Sequence, residues 1–440
     1  MTRYHVVGIG GAGMSAVARV LLARGHAVSG SDSGSWPLAE ALARDGATVH
    51  ASFAAEHVAG ADVVIRSSAY RADNVEVRSA LDRGIPVWKR DDAWRELTKG
   101  QRVVAIAGTH GKSTTTAMTW MGLRAAGLDA SLICGAVLRE LGTNAYAGSA
   151  DTFVIEADEY DNAFLALTPS VAVVTTLDHD HIDIFPTKAS YRDAFRAFAA
   201  RTRERGALIV GVSDAGGREL ALWAKRELGD RTVHSYGTED ADILVRYEAG
   251  TVRWSGDDGS FHLAVPGAHN AMNATAAILA ADALGVDRAR ATSGVGRFDG
   301  VSRRLELLGT SGAIRVVDDY AHHPAEIAAG LDAEGEDLVV FQPHTPSRLD
   351  AFFDDFVAVL KRPRAVVIVE TFRSAREAAD PHGRAKKLAD AVGGRYAPDA
   401  ETAARIVTEL ARPGDTVLVM GAGDVRPVGE RVLELLRAPV

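Results

Sequence analysis

The segment VVAIAGTHGKS, residues 103–113, decides the fold of the middle of this chain. Its first part, residues 103–107, is a short apolar run that predicts a buried strand, and a helical pattern follows at Thr114–Met121. A glycine-rich turn between a strand and a helix is typical of phosphate-binding loops, because backbone amides and the helix N-terminus surround the anion. Lys112 is then expected to reach the β- and γ-phosphates of a nucleotide, and the Ser113 hydroxyl to bind Mg²⁺.

The spacing of this loop differs from the common G-x-x-x-x-G-K pattern. Position 106 is isoleucine, so Gly108 is the first glycine and the loop is shorter. Gly-Lys-Ser also occurs by chance in loops that bind nothing, but its position between a predicted strand and a predicted helix favours phosphate binding.

Short apolar runs followed by helical patterns recur along the chain in three series. Because these runs do not alternate, they predict parallel strands covered on both faces. The predicted strands are residues 4–9, 27–30, 62–67 and 85–88, then 103–107, 152–155, 171–176 and 207–212, then 314–318, 338–341, 365–369 and 416–420. Residues 241–265 alternate instead, with turns at 249–250 and 256–259, which predicts a small antiparallel patch. Boundaries near residues 98–102 and 294–300 predict three α/β domains.

A second glycine-rich loop, GIGGAG at residues 8–13, follows the first predicted strand and opens a helical pattern at Met14–Ala23. It matches G-x-G-x-x-G, whose glycines let the backbone approach a diphosphate. Asp32 follows the next predicted strand, where a ribose-binding acid is expected. The usual interpretation is a nicotinamide-dependent enzyme, and a tight turn without a ligand is the alternative. By itself the loop indicates only a site for a nucleotide diphosphate.

Clusters of acidic residues and histidines follow two further predicted strands, EADEYD at 156–161 and DHDHID at 178–183. Ligands of parallel sheets bind beyond the carboxyl ends of the strands, so Ser113, Glu156 and His181 are expected to meet there. Oxygen ligands favour Mg²⁺. Zinc is the weaker alternative, because the sequence has neither a cysteine pair nor an H-E-x-x-H motif. An exposed acidic loop is the plain alternative for the first cluster.

Two polar segments further along the chain are candidate parts of a functional site. DDYAHHP at 318–324 follows a predicted strand, and its proline predicts a turn, for which a polar connector is the alternative. PGAHNAMN at 266–273 opens an alanine-rich helix, on which Asn270 and Asn273 share a face and could bracket a base edge. Simple N-capping by Asn270 is the other interpretation.

Composition excludes several classes of protein. Of the 440 residues, 47% are hydrophobic and 24% are charged, which is enough for several buried cores. The net charge of -9 and the lack of a basic stripe argue against a nucleic-acid binder. No apolar run approaches the roughly 18 residues of a membrane span, and a single cysteine excludes an intramolecular disulfide. With a predicted strand rather than a signal peptide at the N-terminus, these features predict a cytoplasmic protein.

Taken in order, the motifs resemble those of the Mur ligase family of peptidoglycan synthesis. The markers are GIGGAGMSAVA, RSSAYRADNVEV, GTHGKSTTT, GTNAYAG, EADEYDNAFL, LDHDHIDIF, PGAHNAMNA, FDGVSRR, DDYAHHP, FQPHTPSRL and GDTVLVMGAGD, and they span essentially the whole chain. The resemblance implies a three-domain α/β architecture. Residues 1–98 would form a Rossmann-like UDP-sugar domain, residues 99–296 a P-loop ATPase-like central domain with the antiparallel patch, and residues 297–440 a Rossmann-like domain that closes on ATP and the amino acid.

The resemblance also implies an ATP-dependent ligase that serves cell-wall biogenesis, and through it cell shape and division. The lactyl carboxylate of UDP-N-acetylmuramate would attack ATP, and L-alanine would attack the resulting acyl phosphate, with Mg²⁺ as cofactor. His181 or a neighbouring carboxylate would serve as the base. Neither nucleic acid nor a membrane is an expected partner, and the expected state is a monomer or a weak homodimer.

The same resemblance implies roles for individual residues. Lys112, Glu156 and His181 would be catalytic, and Ser113, Glu156 and His181 would reach the metal. The ATP-binding residues would be Gly108, Thr109, His110, Gly111, Lys112, Ser113, Thr114, Asn270, Asn273, Arg304 and Asp319. The UDP-sugar would contact Gly11, Met14, Ser15, Asp32 and Ser67. The amino acid would lie beside Tyr320, His322, His323, His344 and Arg348.

Three positions depart from the pattern of the family's alanine-adding branch. Ser113 stands in place of a threonine, Tyr160 in place of a serine and Pro346 in place of a tyrosine. A tyrosine at position 160 resembles the muropeptide-recycling branch of the family, which adds a preformed tripeptide. The amine substrate can therefore be either L-alanine or this tripeptide. There are two more distant alternatives. One is a nicotinamide-dependent oxidoreductase, which would not explain the glycine-rich loop at residues 108–113. The other is a regulatory nucleotide-binding protein without catalysis.

A lysine that several family members carbamylate, to help hold a second Mg²⁺, is missing from this sequence. It would lie four residues after Tyr191, where this chain has Phe195. Residues 191–198 predict a helix with Phe195 and Phe198 packed in the core. Lys188 is expected to lie before that helix as a solvated loop charge. The resulting hypothesis is an enzyme that works without a carbamate.

Overall fold

The chain folds as two compact α/β units, Met1–Val301 and Ser302–Val440. The computed structural model describes residues 1–181, 184–255, 259–372 and 383–437. Each unit contains parallel sheet with helices packed against it. Among the described residues, no helix combines the length and the apolar character needed to cross a membrane.

The N-terminal sheet of the first unit has five parallel strands in the order β3-β2-β1-β4-β5. The strands are β1 (Arg3–Val7), β2 (Ala27–Ser31), β3 (Thr48–His50), β4 (Val63–Arg66) and β5 (Val87–Lys89). The helices are α1 (Ala12–Ala23), α2 (Pro37–Arg44), α3 (Val75–Asp82) and α4 (Arg90–Leu97). Because β1 lies between β2 and β4, the loop at residues 8–13, Asp32 and Ser67 all follow neighbouring strand ends.

The central sheet of the same unit has ten strands in the order β15-β14-β13-β12-β11-β10-β6-β9-β7-β8. The strands are β6 (Arg102–Ala107), β7 (Ser131–Leu138), β8 (Thr143–Tyr146), β9 (Thr152–Glu156), β10 (Val171–Val174), β11 (Ala207–Gly211), β12 (Thr232–Gly237), β13 (Ile243–Glu248), β14 (Thr251–Trp254) and β15 (Ser260–His262). The helices are α5 (Lys112–Ala125), α6 (Lys188–Ala200), α7 (Ala215–Glu227), α8 (Ala268–Ala283) and α9 (Arg288–Gly296), with a 3₁₀ segment at Tyr160–Ala166. Among the described strands of this central sheet, only the pairs β7–β8, β13–β14 and β14–β15 are antiparallel.

The two sheets of the first unit share one hydrophobic core. Trp94 on α4 and Val17 on α1 belong to the same apolar cluster as Phe153 on β9 and Phe198 on α6. The opposite face of the central sheet is covered by α5, α8 and α9, with Trp120 fully buried among them. A continuous core of this kind explains why the N-terminal and central sheets form one unit.

The described strands of the second unit form one six-stranded sheet in the order β16-β17-β21-β18-β19-β20, and among them only β16 runs antiparallel to its neighbour. The strands are β16 (Glu306–Ser311), β17 (Ile314–Asp319), β18 (Leu338–Phe341), β19 (Ala365–Val369), β20 (Arg395–Ala397) and β21 (Thr416–Met420). The helices are α10 (Pro324–Glu334), α11 (Pro346–Ala351), α12 (Phe353–Leu360), α13 (Arg384–Val392), α14 (Ala400–Leu410) and α15 (Arg426–Arg437). Separate apolar clusters fill the two faces of this sheet.

The predicted strands are all present, with ends that agree or differ by at most two residues. The antiparallel patch is confirmed as β13–β15, and its predicted turn at 249–250 joins β13 to β14. Most of the second predicted turn, residues 256–258, lies outside the described residues, as do Ile182 and Asp183 of the histidine motif. The sequence missed six strands, which are β3, β7, β8, β12, β16 and β20.

Two local predictions about helix ends are wrong. Lys188 is the first residue of α6 rather than a loop residue, because the Thr187 hydroxyl caps the helix by accepting from Ser190 N at 3.1 Å. Asn270 does not cap α8, because Gly267 occupies that position and Asn270 lies inside the first turn. The burial predicted for Phe195 is confirmed: it is fully buried and packs against Phe164, with ring centroids 5.3 Å apart.

Candidate active site

The loop between β6 and α5 has the backbone shape of a phosphate loop. Gly108 and Gly111 have positive φ angles of 135° and 79°, which favour glycine. The amides of Thr109 and His110 donate to the carbonyl and the hydroxyl of Thr176, both at 2.9 Å. Because Thr176 follows β10, these bonds fasten the loop to the neighbouring strand end.

The close approach of Asn273 to Gly111 gives a test of the loop geometry. A Cβ on Gly111 would lie 2.4 Å from Asn273 Oδ1, whereas a Cβ on Gly127 would meet no atom within 4 Å. Both glycines have similar φ angles, 79° and 89°, so Gly127→Ala measures backbone strain alone. We expect Gly111→Ala to lower the free energy of unfolding by about 1–3 kcal/mol more than Gly127→Ala does, measured by denaturant titration. Equal losses would show that Asn273 moves away freely.

Lys112, the first residue of α5, points back over its own loop. Its Nζ donates to Gly108 O at 2.6 Å, to Thr109 O at 3.1 Å and to Glu159 Oε1 at 3.1 Å. Burial opposes the charge of Lys112, but the nearby carboxylates, Glu159 foremost, outweigh burial and raise its pKa. The lysine is therefore held as a cation beside the loop that is expected to bind phosphate.

Ser113 and Glu156 form a second contact pair at the same edge. The Ser113 hydroxyl donates to Glu156 Oε1 at 3.0 Å, and Gly135 N donates to Glu156 Oε2 at 2.6 Å. Glu156 ends β9, which lies beside β6 in the sheet. The buried Cys134 thiol is 3.6 Å from the same carboxylate, and burial raises its pKa well above the usual value.

In the part of the chain that the structure describes, His181 lies beside Glu159 and Asp158 rather than beside Glu156. Its Nε2 is 3.3 Å from Glu159 Oε1, and ligand atoms of all three residues lie within 4.8 Å of one another. Glu159 is fully buried, and its Oε2 has no hydrogen-bond partner among the described residues. His181 has a positive φ of 50°, and the Tyr160 ring packs edge-on against it at 5.4 Å.

The predicted metal set of Ser113, Glu156 and His181 is thus divided between two adjacent carboxylate groups. The sheet order β10-β6-β9 brings the three strand ends together, as the sequence predicted. Carboxylate, hydroxyl and imidazole donors in this arrangement fit Mg²⁺. Glu159 and Asp158 were missed as site residues, although the acidic cluster at 156–161 contained them.

Arg90 is another residue that the sequence did not indicate. It begins α4, and its Nη2 donates to Asp158 Oδ2 at 2.7 Å. Burial opposes the charge of Asp158, but Arg90 and Lys112 outweigh it and lower the pKa of this carboxyl. A Cβ on Gly13 would lie 3.1 Å from Arg90 Nη1, so this guanidinium lies between the first glycine loop and the acidic cluster.

Asn270 and Asn273 share a face of α8, as predicted, and that face packs against the phosphate loop. Asn273 Nδ2 is 3.4 Å from Asn270 Oδ1, and Asn273 Oδ1 accepts from Thr115 Oγ1 at 3.2 Å. Asn270 Nδ2 donates to Pro266 O at 2.6 Å. Both amides are therefore already engaged within the protein, although each can make further hydrogen bonds beyond these. Thr114, the remaining predicted ATP contact of this loop, is buried in the first turn of α5.

The first glycine loop is fastened by Asp32. Asp32 Oδ2 accepts from Gly10 N at 2.9 Å, and Oδ1 accepts from Ser33 N at 2.8 Å and from Tyr70 Oη at 3.0 Å. Gly11 caps α1 without a side chain, which leaves that end of the helix open to an anion. Asp32 therefore supports the loop in addition to its expected ligand contact.

Met14 and Ser15 are buried, while Ser67 is half-buried at the end of β4. The Ser15 hydroxyl donates to Ala12 O at 3.0 Å and accepts from Asn144 Nδ2 at 3.2 Å. Asn144 is fully buried, and its Oδ1 has no hydrogen-bond partner within the part of the chain that the structure describes. The sequence had assigned Asn144 no role, although it lies in the marker GTNAYAG.

In the second unit, Asp319 ends β17 and is buried. Its oxygens accept from Ala321 N at 2.7 Å and from Leu305 N at 2.8 Å. Burial, only partly offset by Arg304, raises the pKa of Asp319 to about 6. The Arg304 guanidinium lies 5.5 Å from the centre of the Tyr320 ring and 3.4 Å from Glu326 Oε1.

The raised pKa of Asp319 predicts a pH-dependent stability. The folded chain holds the proton more tightly than the unfolded chain does, so the stability from this group is full below about pH 4 and falls as the pH rises to about 6, by about 3 kcal/mol. We expect the melting temperature of Asp319→Asn, relative to the parent, to rise across that window. Asp355→Asn, on the exposed face of α12, is the control. A difference that does not vary with pH would contradict the assignment.

Three of the five residues expected beside the amino acid form one group of rings in the second unit. His322 packs edge-on against Tyr320 at 5.4 Å and against His344 at 5.7 Å, and His344 stacks on Phe372 at 5.6 Å. Two further predicted residues lie on other elements: His323 caps α10 through Ala325 N and contacts Phe352, and Arg348 is buried on α11. The structure thus brings three of the five together, and the role of the group stays a prediction.

A phosphate loop at the carboxyl edge of a parallel sheet, with a lysine and clustered carboxylates, defines an α/β nucleotide-binding protein of the phosphate-loop class. Three family models match the chain. They are "Mur ligase family, catalytic domain" at residues 3–102, "Mur ligase middle domain" at 106–281 and "Mur ligase, glutamate ligase domain" at 303–423. The chain belongs to the Mur ligase family.

The similarity to individual relatives extends over nearly the whole chain. A UDP-N-acetylmuramate–L-alanine ligase from Thermobifida fusca (strain YX) is 41% identical over 460 residues, covering 99% of this chain and 96% of that protein. The crystal structure of a UDP-N-acetylmuramate–alanine ligase from Thermotoga maritima has a TM-score of 0.84 at 26% identity, covering 99% of both chains. The murein peptide ligase of Psychrobacter arcticus has a TM-score of 0.78 at 23% identity over 100% of both chains, which shows the shared fold alone.

Proposed function

We propose that this chain is an ATP-dependent ligase that joins L-alanine to the lactyl carboxylate of UDP-N-acetylmuramate and releases ADP and phosphate. The observation that carries the proposal is the 41% identity with an L-alanine ligase over nearly the full length of both chains. The phosphate loop with its partly buried lysine supports the use of ATP. In this role the chain supplies a peptidoglycan precursor, and we place it in the cytoplasm as a monomer or weak homodimer.

The first step joins the substrate carboxylate to the γ-phosphorus of ATP. A lactyl carboxylate oxygen attacks phosphorus, the bond to the β-phosphate oxygen breaks, and ADP leaves with an acyl phosphate formed. Lys112 is placed to neutralise the negative charge that spreads over the phosphoryl oxygens, once it exchanges Glu159 for phosphate. Ser113, Glu156, Asp158, Glu159 and His181 are the donors that would hold Mg²⁺. When bound, Mg²⁺ supplies further charge neutralisation for this transfer.

The second step joins the amine to the activated carboxyl. The unprotonated nitrogen of L-alanine attacks the acyl carbon, the tetrahedral intermediate expels phosphate, and the nitrogen loses a proton. Water must be excluded, because acyl phosphates hydrolyse. The roles of Arg304, Asp319 and the ring group Tyr320, His322 and His344 at ATP and the amino acid are part of the proposal.

An assay of ADP release with UDP-N-acetylmuramate tests the function. L-alanine, glycine, L-serine and the tripeptide of the recycling branch are offered in turn, with the amine omitted as the blank. We expect L-alanine to give the highest kcat/KM. Faster turnover with the tripeptide would favour the recycling ligase, for which Tyr160 beside His181 is the specific observation. Reduction or oxidation of a nicotinamide would contradict both.

The buried phenylalanine at position 195 predicts an enzyme that does not depend on CO₂. Phe195 can neither form a carbamate nor bind a metal, and it packs against Tyr191 with ring centroids 5.0 Å apart. We expect initial rates in CO₂-depleted and bicarbonate-supplemented buffer to agree within about twofold at fixed pH and Mg²⁺. A reversible loss of most activity on depletion would mean that a carbamate forms on another residue.

A further inference from the structure

A buried ionisable cluster lies beneath the first glycine loop, and none of the steps above uses it. Its centre is Glu76 in the first turn of α3, whose side chain is fully buried, as is that of His5 on β1. Burying a carboxylate is costly unless hydrogen bonds and opposite charge compensate for the lost water. The contacts of Glu76 therefore indicate why the fold keeps a charged group in this buried position.

Four donors converge on the Glu76 carboxylate. Its Oε1 accepts from Ser31 Oγ at 2.6 Å, from Ala54 N at 3.2 Å and from His57 Nδ1 at 2.8 Å. Its Oε2 lies 3.2 Å from His5 Nε2. Burial opposes the charge of Glu76, but the bonds from His5 and Ser31 outweigh it and lower the pKa, so the group is a carboxylate at neutral pH.

One chain of contacts runs from Glu76 through Ser31 to the glycine loop. While the Ser31 side chain is held by Glu76, its carbonyl accepts from Gly8 N at 2.8 Å and from Ile9 N at 3.2 Å. The next residue, Asp32, accepts from Gly10 N at 2.9 Å. Three consecutive amides of the loop thus depend on two residues at the end of β2.

A second chain of contacts reaches the same place from the other side. The His57 ring, bonded to Glu76, stacks on the His50 ring with centroids 3.7 Å apart and planes 8° from parallel. His50 ends β3, and its carbonyl accepts from Asp32 N at 3.0 Å. Asp32 is therefore held through Ser31 and through His50, and both routes begin at Glu76.

We propose that Glu76 is a positioning residue for the UDP-sugar, which holds the backbone of residues 8–10 and Asp32 in the shape that receives the diphosphate and ribose. The inference rests on the proposed function, in which this loop binds UDP-N-acetylmuramate. Glu76 touches neither the phosphate loop nor the acidic cluster among its recorded contacts, so its effect should be confined to one substrate.

Steady-state kinetics of Glu76→Gln in the full chain test this role. Glutamine has the size of glutamate, but its amide NH₂ must face one of the four donors, so at least one contact is lost or reversed. We expect the KM for UDP-N-acetylmuramate to rise about tenfold. The KM values for ATP and L-alanine, and kcat, should stay within about twofold of the parent. Glu56→Gln, an exposed position on the neighbouring turn, is the matched control and should change nothing.

Ser31→Ala removes only one of the two chains of contacts between Glu76 and Asp32. It provides a second test in case Glu76→Gln does not fold. We expect it to raise the same KM about threefold, with a moderate fall in melting temperature because the buried Glu76 carboxylate loses one of its four donors. If Glu76→Gln does not fold, Ser31→Ala decides the question alone.

Three outcomes overturn the inference: an unchanged KM for the UDP-sugar, equal changes in the KM values of all three substrates, or a loss in kcat alone. Calorimetric titration of the parent with UDP-N-acetylmuramate distinguishes a failure of the positioning role from a failure of the proposed function. If the parent does not bind the UDP-sugar, the proposed function fails. If the parent binds and both variants bind equally well, only the positioning role fails.

Discussion

Lys112→Ala is expected to lower kcat by about a thousandfold, which corresponds to about 4 kcal/mol of transition-state stabilisation. The reason is the position of Nζ, which lies within 3.1 Å of two carbonyls of the phosphate loop and of Glu159. ADP release measures the effect, and Lys188→Ala, at the exposed start of α6, is the control.

The same variant leaves Glu159 buried without its lysine, so a fall in melting temperature is expected beside the loss of activity. The double variant Lys112→Ala/Glu159→Gln separates the two effects. It should recover melting temperature, because the uncompensated charge is gone, but it should not recover turnover. Activity of Lys112→Ala within about tenfold of the parent would rule out the assignment of residues 108–113 as the ATP phosphate loop.

Glu156→Gln is expected to lower kcat about a hundredfold and to raise the Mg²⁺ concentration needed for half-maximal rate about tenfold. Glutamine keeps the size of the side chain and can still accept from Gly135 N, so the end of β9 should hold its shape. The carboxylate charge beside Ser113, however, is lost. Rates measured across a Mg²⁺ titration report both numbers, with Glu140→Gln on the exposed turn after β7 as the control.

An unchanged Mg²⁺ dependence in Glu156→Gln would indicate that the cation binds instead at the neighbouring group of Asp158, Glu159 and His181. Those donor atoms lie within 4.8 Å of one another and fit a cation on their own. Asp158→Asn would then show the altered Mg²⁺ dependence instead. The pair of titrations therefore distinguishes the metal set that the sequence predicted from the one that the structure adds.

The strands that the sequence predicted share a local signature. Residues 103–107 and 338–341 are unbroken apolar runs, and both are buried strands in the interior of their sheets. The strands that it missed are short or interrupted by polar residues and glycine, as β7 and β8 are. Their stability depends on the side chains that pack against them rather than on an intrinsic preference of the segment, so such strands carry a weak local signal.

The local sequence also predicted which strand ends carry chemistry. Glycines in the loop at 108–113 are needed wherever the backbone takes positive φ, and acidic residues placed directly after a strand must lie at the edge of a parallel sheet. Both rules depend only on neighbours in the chain. They correctly indicated that Ser113, Glu156 and His181 follow strands that end at one edge.

By itself, then, the sequence determined the α/β class, the two glycine loops and the kinds of donor beside them, because each depends on short-range patterns. Only the tertiary structure decided which donors meet. The turn after β9 contains Asp161 and Asn162 with positive φ, and it carries Glu159 rather than Glu156 to Lys112 and His181. Glu76 likewise reaches Ser31, 45 residues away, only because the fold brings the first turn of α3 close to the end of β2. Contacts between residues far apart in the chain depend on strand order and turn geometry, which no local pattern specifies.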